Sequence, residues 1–388
     1  MLNGLWLGFF LVAAASALAR WLIGGDATVF AAMVESLFAM AKLAVEVMVL
    51  LFGTLTLWLG FLRIAEKAGL VERLAVLLGP LFRRLMPEVP PGHPAIGLKA
   101  MKALQELNPS STTASNAQIL FLVLNASSLT LLPVTIFMYR AQQGAADPTL
   151  VFLPILLATS ASTLAGLLSV ALMQRLRLWD PVVLAYLIPG ALLLAGFMAV
   201  LGTLSATALA QLSSLLGNLT LFSLVVLFLI VGALKKVPVY ESFVEGAKEG
   251  FDVARNLLPY LVAMLCAVGV LRASGALEVV LGGIRWAVEG LGWDSRFVEA
   301  LPTALVKPFS GSAARAMLLE TMQTHGVDSF PALVAATVQG STETTFYVLA
   351  VYFGSVGLQR ARHAVGCALT ADLAGVIASI GVCYWFFA

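Results

Sequence analysis

The chain has 388 residues, 60% hydrophobic and 11% charged, with a mean hydropathy of +0.95 and a net charge of +2. Soluble globular proteins carry about 25% charged residues, so this composition excludes a soluble fold and predicts an all-α integral membrane protein. The small net charge, with basic residues spread along membrane edges rather than gathered in one patch, excludes a nucleic-acid partner.

The first run, "MLNGLWLGFFLVAAASALAR", has no Lys or Arg ahead of its apolar stretch and reads as an uncleaved membrane helix rather than a signal peptide. About nine spanning helices follow from apolar length, at 2–22, 43–65, 116–139, 149–175, 181–203, 212–234, 252–272, 331–357 and 364–387. The stretches 66–114 and 274–330 are apolar but interrupted by Gly, Pro, Ser and charges. They suit re-entrant or surface-lying helices, and 94–114 and 295–316 are expected to enter the membrane and turn back. Basic clusters at Arg63–Arg84, Arg175 and Arg177, Lys235 and Lys236, and Arg360 and Arg362 fall on one side of this layout. They predict a cytoplasmic N-terminus and an outside C-terminus in a bacterial cytoplasmic membrane. Cys266, Cys367 and Cys383 lie in apolar stretches without ligand spacing and read as small buried hydrophobes.

Five segments recur in the same order, at offsets near 200–214 residues. "VFAAMVES" (29–36) returns as "VYESFVEG" (239–246), "KAGLVERL" (67–74) as "SGALEVVL" (274–281), and "NPSSTTASN" (108–116) as "KPFSGSAAR" (307–315). "NASSLT" (125–130) returns as "GSTETT" (340–345), and "STLAG" (162–166) as "ADLAG" (371–375). The chain therefore reads as two homologous halves, 1–178 and 209–388, joined by a connecting helix in 179–208. Five crossings separate the starts of the halves, and an odd number inverts the second: an inverted repeat with broken or re-entrant helices.

Polar clusters occupy matching places in the halves: Asn108–Asn116 with Lys307–Arg315, and Asn125–Thr130 with Gln339–Thr345. Pro109, Pro308, Pro133, Gly311 and Gly340 interrupt helices there and free backbone groups that can bind ions. Hydroxyl and amide side chains suit a small polar solute. The candidate ligands are Asn108, Ser111, Thr113, Asn116, Asn125, Ser127, Ser128 and Thr130, then Lys307, Ser310, Ser312, Arg315, Gln339, Ser341, Thr342, Glu343, Thr344, Thr345 and Asp372. The plainer reading is that Ser and Thr bond their own helix or a neighbour.

Intramembrane acids cost about 2.5–3.5 kcal/mol on insertion scales, so Glu343 and Asp372 stand out. Glu343 is expected to pair in the buried interior with Lys307 or Arg315, or with a coupling cation, Na+ or H+. Lys42 and Glu46 read as an interfacial pair. "FSGSA" lacks the second glycine of a nucleophile elbow, and His93, His325 and His363 stand beside membrane ends without ligand spacing. No enzyme and no resident cofactor is expected. The expected partners are the lipid bilayer and the solute, and a homo-oligomer is compatible with the pattern.

The stretches "HPAIGLKAMKALQELNP" and "TASNAQILFLVLNASSLTLLPVTIFMYRA" resemble spore maturation protein A. "KPFSGSAARAMLLE" and "HGVDSFPALVAATVQGSTETTFYVLAVYFGSVGLQRARHAVGCALTADLAG" resemble spore maturation protein B. The two look fused in one chain, with departures at His93, Ala126 and Lys307. Both halves are similar to the Gate, or nucleoside-recognition, domain of concentrative nucleoside transporters and ferrous iron transporters. The resemblance implies a transporter-like fold moving a nucleoside, amino acid or small peptide. The rivals are a non-transporting scaffold or regulator of envelope or spore maturation, and a membrane-embedded enzyme.

Overall fold

A computed structural model describes residues 2–89, 97–127, 130–354 and 356–388. Sixteen α-helices are present among them, with no strand beyond an isolated bridge between Thr113 and Arg360. Six helical spans are long and apolar enough to cross a membrane: Trp6–Gly24, Thr28–Lys67, Pro148–Gln174, Pro181–Leu201, Ala206–Leu234 and Ala364–Phe387. A seventh arises if Leu261–Ala273 and Ala276–Gly290, bent by 67°, count as one.

Two of the nine expected spans are not continuous helices. The stretch 116–139 divides into α5 (Asn116–Ser127) and α6 (Val134–Gln142). The stretch 331–357 divides into α14 (Phe330–Ser341) and α15 (Thr345–Gly354). The cause is local. Pro133 cannot donate a backbone hydrogen bond and directly precedes α6. At the other break the Glu343 N–H leaves the helical ladder to donate to Ala126 O at 2.9 Å.

The chain packs as two compact units. One comprises 1–64, 134–148 and 224–339; the other comprises 65–133, 149–223 and 340–388. They differ from the sequence halves, because each takes segments from both.

The first unit contains α1 (Leu2–Gly24), the 40-residue α2 (Thr28–Lys67), α10 (Val239–Ala273), α11 (Ala276–Gly290), α12 (Leu301–Val306) and α13 (Gly311–His325), apart from the last residues of α2. At about 1.5 Å per residue α2 is near 60 Å long, twice the hydrocarbon thickness, so its end turns stand outside the apolar layer. Lys42 and Glu46 on it pair at 3.7 Å and are exposed. α2 and α10 are antiparallel: Arg63, late in α2, pairs with Glu245, early in α10, while Cys266 Sγ, late in α10, reaches Leu37 O at 3.5 Å. Gly246 and Gly250 of α10 pack close to Leu59 and Leu55 of α2, and Phe52 stacks on Phe251. After α10 the chain turns through Gly275 (φ 79°) into α11.

The second unit contains α3 (Leu70–Leu85), α4 (Gly97–Glu106), α5, α7 (Phe152–Gln174), α8 (Pro181–Leu201), α15 and α16 (Ala364–Phe387). α3 likewise starts after a left-handed glycine, Gly69 (φ 74°), a conformation that L side chains adopt only at a cost. Here "KAGLVERL" and "SGALEVVL" share a backbone turn as well as letters. α7 and α16 are antiparallel and closely packed. Gln174, the last residue of α7, meets the His363 ring at the start of α16 at 3.1 Å, and Ser162 Oγ donates to Ala371 O at 2.9 Å midway. α5 is buried against both, with Ile119, Leu120, Leu122 and Val123 fully enclosed.

One sequence match loses its positional meaning. A single helix, α5, separates the 108–116 cluster from the 125–130 cluster, but two, α13 and α14, separate 307–315 from 340–345. The "NPSSTTASN" and "KPFSGSAAR" clusters are therefore not at equivalent places. His93 and the first three residues of the expected re-entrant stretch 94–114 lie outside the described residues.

Candidate solute site at two helix breaks

Within the second unit the two breaks meet. The Glu343 N–H bond to Ala126 O joins the end of α5 to the gap between α14 and α15. Around this joint Ser127, Ser341 and Thr345 are fully buried, and Thr342, Thr344 and Asp372 are nearly so. Thr345 opens α15, and its hydroxyl donates to Asp372 Oδ2 on α16 at 2.6 Å. Ser379, two turns further along α16, places its Oγ 3.2 Å from Ser341 Oγ and 2.7 Å from Gly375 O. On the α5 side Thr130 N donates to Thr159 Oγ1 at 3.1 Å. Asn125 Nδ2 donates to Phe121 O at 2.7 Å, and Tyr352 OH lies 3.4 Å from Asn125 Oδ1. Ser127 Oγ turns back to Leu124 O. Ser128 lies outside the described residues.

The other expected residues go elsewhere. Asn108, Ser111, Thr113 and Asn116 belong to a loop knitted to 359–362. Gln359 N and Arg360 N donate to Thr112 O, Ala114 N donates to Arg360 O, and Arg362 Nη1 donates to Ala114 O at 3.0 Å. Asn108 Nδ2 is spent on Thr113 O and on Gln118 Oε1, Ser111 is exposed, and Asn116 O accepts from Gln174. Lys307, Ser310, Ser312, Arg315 and Gln339 lie in the first unit. There Lys307 Nζ donates to Gln339 O at 2.9 Å, Ser310 caps α13 through Ala313 N, Ser312 Oγ sits 3.1 Å from Ser310 Oγ, and Arg315 Nε donates to Gly311 O. Glu343 is exposed. That corrects the expectation of a buried ion pair around it. Beside the knitted loop, burial and the neighbouring Arg362 hold the His363 ring below the usual histidine range.

Ser162, Thr159 and Ser379 were not singled out from sequence, because a serine in an apolar helix ordinarily bonds its own turn. The available signal was the "STLAG"/"ADLAG" match, which sets Ser162 opposite Ala371, its bonding partner here. Thr345→Val removes the hydroxyl that donates to Asp372 Oδ2 and is expected to cost about 1–3 kcal/mol. Thr345→Ser keeps the hydroxyl and stays near wild type; unfolding in detergent distinguishes them.

A family model for Gate, described as nucleoside recognition, matches residues 254–359. The chain is 47% identical over 152 residues to spore maturation protein B of Bacillus subtilis (strain 168), covering 39% of this chain and 84% of that protein. It is 31% identical over 155 residues to spore maturation protein A of the same organism, covering 34% of this chain and 79% of that one. No solved structure matches it.

Proposed function

The chain belongs to the family of spore maturation proteins A and B, and from that premise we propose that it moves a small polar solute across the bacterial cytoplasmic membrane by alternating access. The observation that supports this most is the meeting of two interrupted apolar segments at a buried polar joint, Glu343 N–H to Ala126 O, beside Asp372. Irregular backbone at membrane depth persists only where protein or a hydrated path receives it. Broken helices meeting near the midplane are how secondary transporters build such paths. Nucleosides come first among the solute classes, since the matching family model is described by nucleoside recognition; amino acids and small peptides follow.

The proposal includes an inverted repeat with nine crossings. Its support is the packing of matched segments. A Cβ at Gly166 would meet Ala371 Cβ at 3.2 Å and Ser127 Cβ at 3.6 Å; one at Gly375 would meet Ser162 Cβ at 3.2 Å and Thr342 Cγ2 at 2.6 Å. Under the sequence matches Gly166 equals Gly375, Ala371 equals Ser162 and Ser127 equals Thr342. Each contact thus has its twin, as a two-fold relation generates. In the first unit a Cβ at Gly269 would meet Ser36 Oγ, and one at Gly246, the match of Ser36, would meet Leu59. Both pairs of matched helices, α2 with α10 and α7 with α16, are antiparallel. Antiparallel equivalents must lie an odd number of crossings apart along the chain. That count is odd only if α5–α6 and α14–α15 each cross as one broken span. The basic clusters then keep the N-terminus inside and the C-terminus outside.

A scaffold role in maturation is the second reading, favoured by the relatives' names and by the knitted 108–116 loop. A thermal-shift screen of nucleosides, amino acids and dipeptides, followed by uptake into proteoliposomes, separates the two. Binding to the native state raises its unfolding temperature. One class is expected to stabilise the protein and to be taken up, with Glu343→Gln lowering uptake but not stability. No stabilisation and no uptake for all three classes would favour the scaffold.

A further inference from the structure

α2 turns one face outward. Val34, Phe38, Val45, Val49 and Leu57 are exposed along it, while Leu43, Ala44, Val47, Met48 and Leu51 on its other side are buried. From Val34 to Leu57 the exposed stripe runs for about 35 Å, close to the thickness of the hydrocarbon layer. It lies inside the span Thr28–Lys67. Two charges interrupt it. Lys42 and Glu46 pair with each other at 3.7 Å, yet their side chains are 80% and 59% exposed. Their midpoint falls within about 3 Å of the midpoint of the stripe. Exposed apolar side chains continue beyond the pair in both directions, so the charges stand within the stripe rather than at its edge.

Charged side chains inside hydrocarbon are expensive and persist where protein covers them. A single pairing along the helix leaves both heads open on the outward side. The stripe can supply its own cover. Ala39, Lys42, Glu46, Val49 and Gly53 follow one another at spacings of 3, 4, 3 and 4 residues, and all five are exposed. That spacing is the seam of two helices crossing at about 20°. A Cβ at Gly53 would meet nothing within 4 Å, and Ala39 is small, so the seam admits close backbone approach on either side of the charges. A two-fold contact brings residue i against j and j against i. Under a two-fold axis along the membrane normal the seam meets itself in parallel. Lys42 of each copy then stands one turn from Glu46 of the other, and the charges alternate around the axis. Lipid headgroups stay at the surface of the layer, and a single ion would answer only one of the two charges; a second copy answers both. Glu35, on the same face, lies about 16 Å from the midpoint of the stripe, at the boundary of the layer.

We propose that the chain forms a parallel two-fold dimer through this face of α2, with Lys42 and Glu46 paired across the axis. The dimer stands apart from the solute site, which lies in the second unit, so either reading can fail alone.

The test uses the full chain in proteoliposomes. Energy transfer between copies carrying donor and acceptor fluorophores is followed as the protein-to-lipid ratio rises. Transfer is expected to be linear in the acceptor fraction, as two copies require. Lys42→Glu and Glu46→Lys each bring like charges together and should weaken the dimer about tenfold, a loss of about 1.4 kcal/mol. The Lys42→Glu, Glu46→Lys double variant restores the alternation and should recover the dimer. Oxidation should trap a disulfide-linked dimer of Val49→Cys, on the seam, and not of Leu192→Cys, which is equally exposed on α8. The wild type, with Cys266, Cys367 and Cys383 free, gives the background. If the charge variants do not insert, the wild type and the two cysteine variants carry the test. A monomer at every ratio would overturn the proposal. So would a dimer that Leu192→Cys traps and Val49→Cys does not, or one that an inserted Lys42→Glu chain forms at wild-type strength.

Discussion

Arg140→Ala lowers the stability of the folded chain by about 2–4 kcal/mol, and Asp328→Asn by about 1 kcal/mol or less. The ordering follows from where the arginine's bonds go. Arg140 is fully buried at the end of α6. Its guanidinium donates to Pro148 O at 3.2 Å, Asp147 O at 3.0 Å, Val327 O at 3.1 Å and Asp328 Oδ1 at 2.7 Å. Three of the four acceptors are backbone carbonyls of two turns, 143–148 and 326–329, which are also linked by the Ala146 N–H donating to Asp328 Oδ2 at 3.2 Å. The Asp328 side chain is 42% exposed, so solvent screens the ion pair itself. Removing the arginine orphans the carbonyls and leaves a cavity. Removing only the Asp328 charge leaves the carbonyl bonds in place. Arg140→Lys should fall between the two, since an ammonium keeps the charge but cannot present the planar fork. Unfolding of the three variants in detergent checks the order, and the Asp328→Asn deficit should shrink in high salt. Equal losses for Arg140→Ala and Asp328→Asn would show that the ion pair, not the carbonyl fork, dominates.

The long apolar helices were legible because nothing competes with them. α1, α7, α8, α9 (Ala206–Leu234) and α16 run for 21 residues or more with at most one Asp, Glu, Lys or Arg. Apolar length also joined segments that the backbone separates. In 116–139 and 331–357 the mean hydropathy stays high across six and three break residues, so only the local chemistry of Pro133 and the Thr342–Thr344 run marks the interruption. Polar clustering located the joint but not its wiring. Thr345 and Asp372 are 27 residues apart and were both candidates, yet their bond depends on how α15 returns against α16. Glu343 was expected to be the buried acid because an acid in an apolar run usually needs a partner. The break turns its side chain outward and uses its N–H instead. Arg140 went unremarked for a similar reason. It lies at the edge of a polar turn, and Asp328 stands 188 residues away. The match of Asn108–Asn116 with Lys307–Arg315 was one of letters, which the intervening helix α13 separates in place.

Gly375→Ala costs more than Gly166→Ala, although the two glycines occupy matched positions on antiparallel helices. At Gly375 a Cβ would stand 2.6 Å from Thr342 Cγ2, closer than real side-chain atoms pack, with Ser162 Cβ at 3.2 Å on the other side. Thr342 is buried between the breaks and has little room to yield. At Gly166 the nearest atoms are Val123 Cγ1 at 3.1 Å and Ala371 Cβ at 3.2 Å, contacts that a few tenths of an ångström relieve. Overpacking of this kind costs about 1–3 kcal/mol, with Gly375→Ala at the upper end and Gly166→Ala at the lower. The collision names its own remedy. Thr342→Ser deletes the methyl that the new Cβ would strike and keeps the hydroxyl. The Thr342→Ser, Gly375→Ala double variant should recover most of the loss, a coupling of about 1 kcal/mol or more in a double-mutant cycle. Thr342→Ser paired with Gly166→Ala should show none, since Gly166 faces Ser127 rather than Thr342. Detergent unfolding of the wild type and the five variants measures both couplings. Additive losses for the Thr342–Gly375 pair would mean that α16 shifts away from the α14–α15 break instead of packing on it, and the buried joint would have to be redrawn.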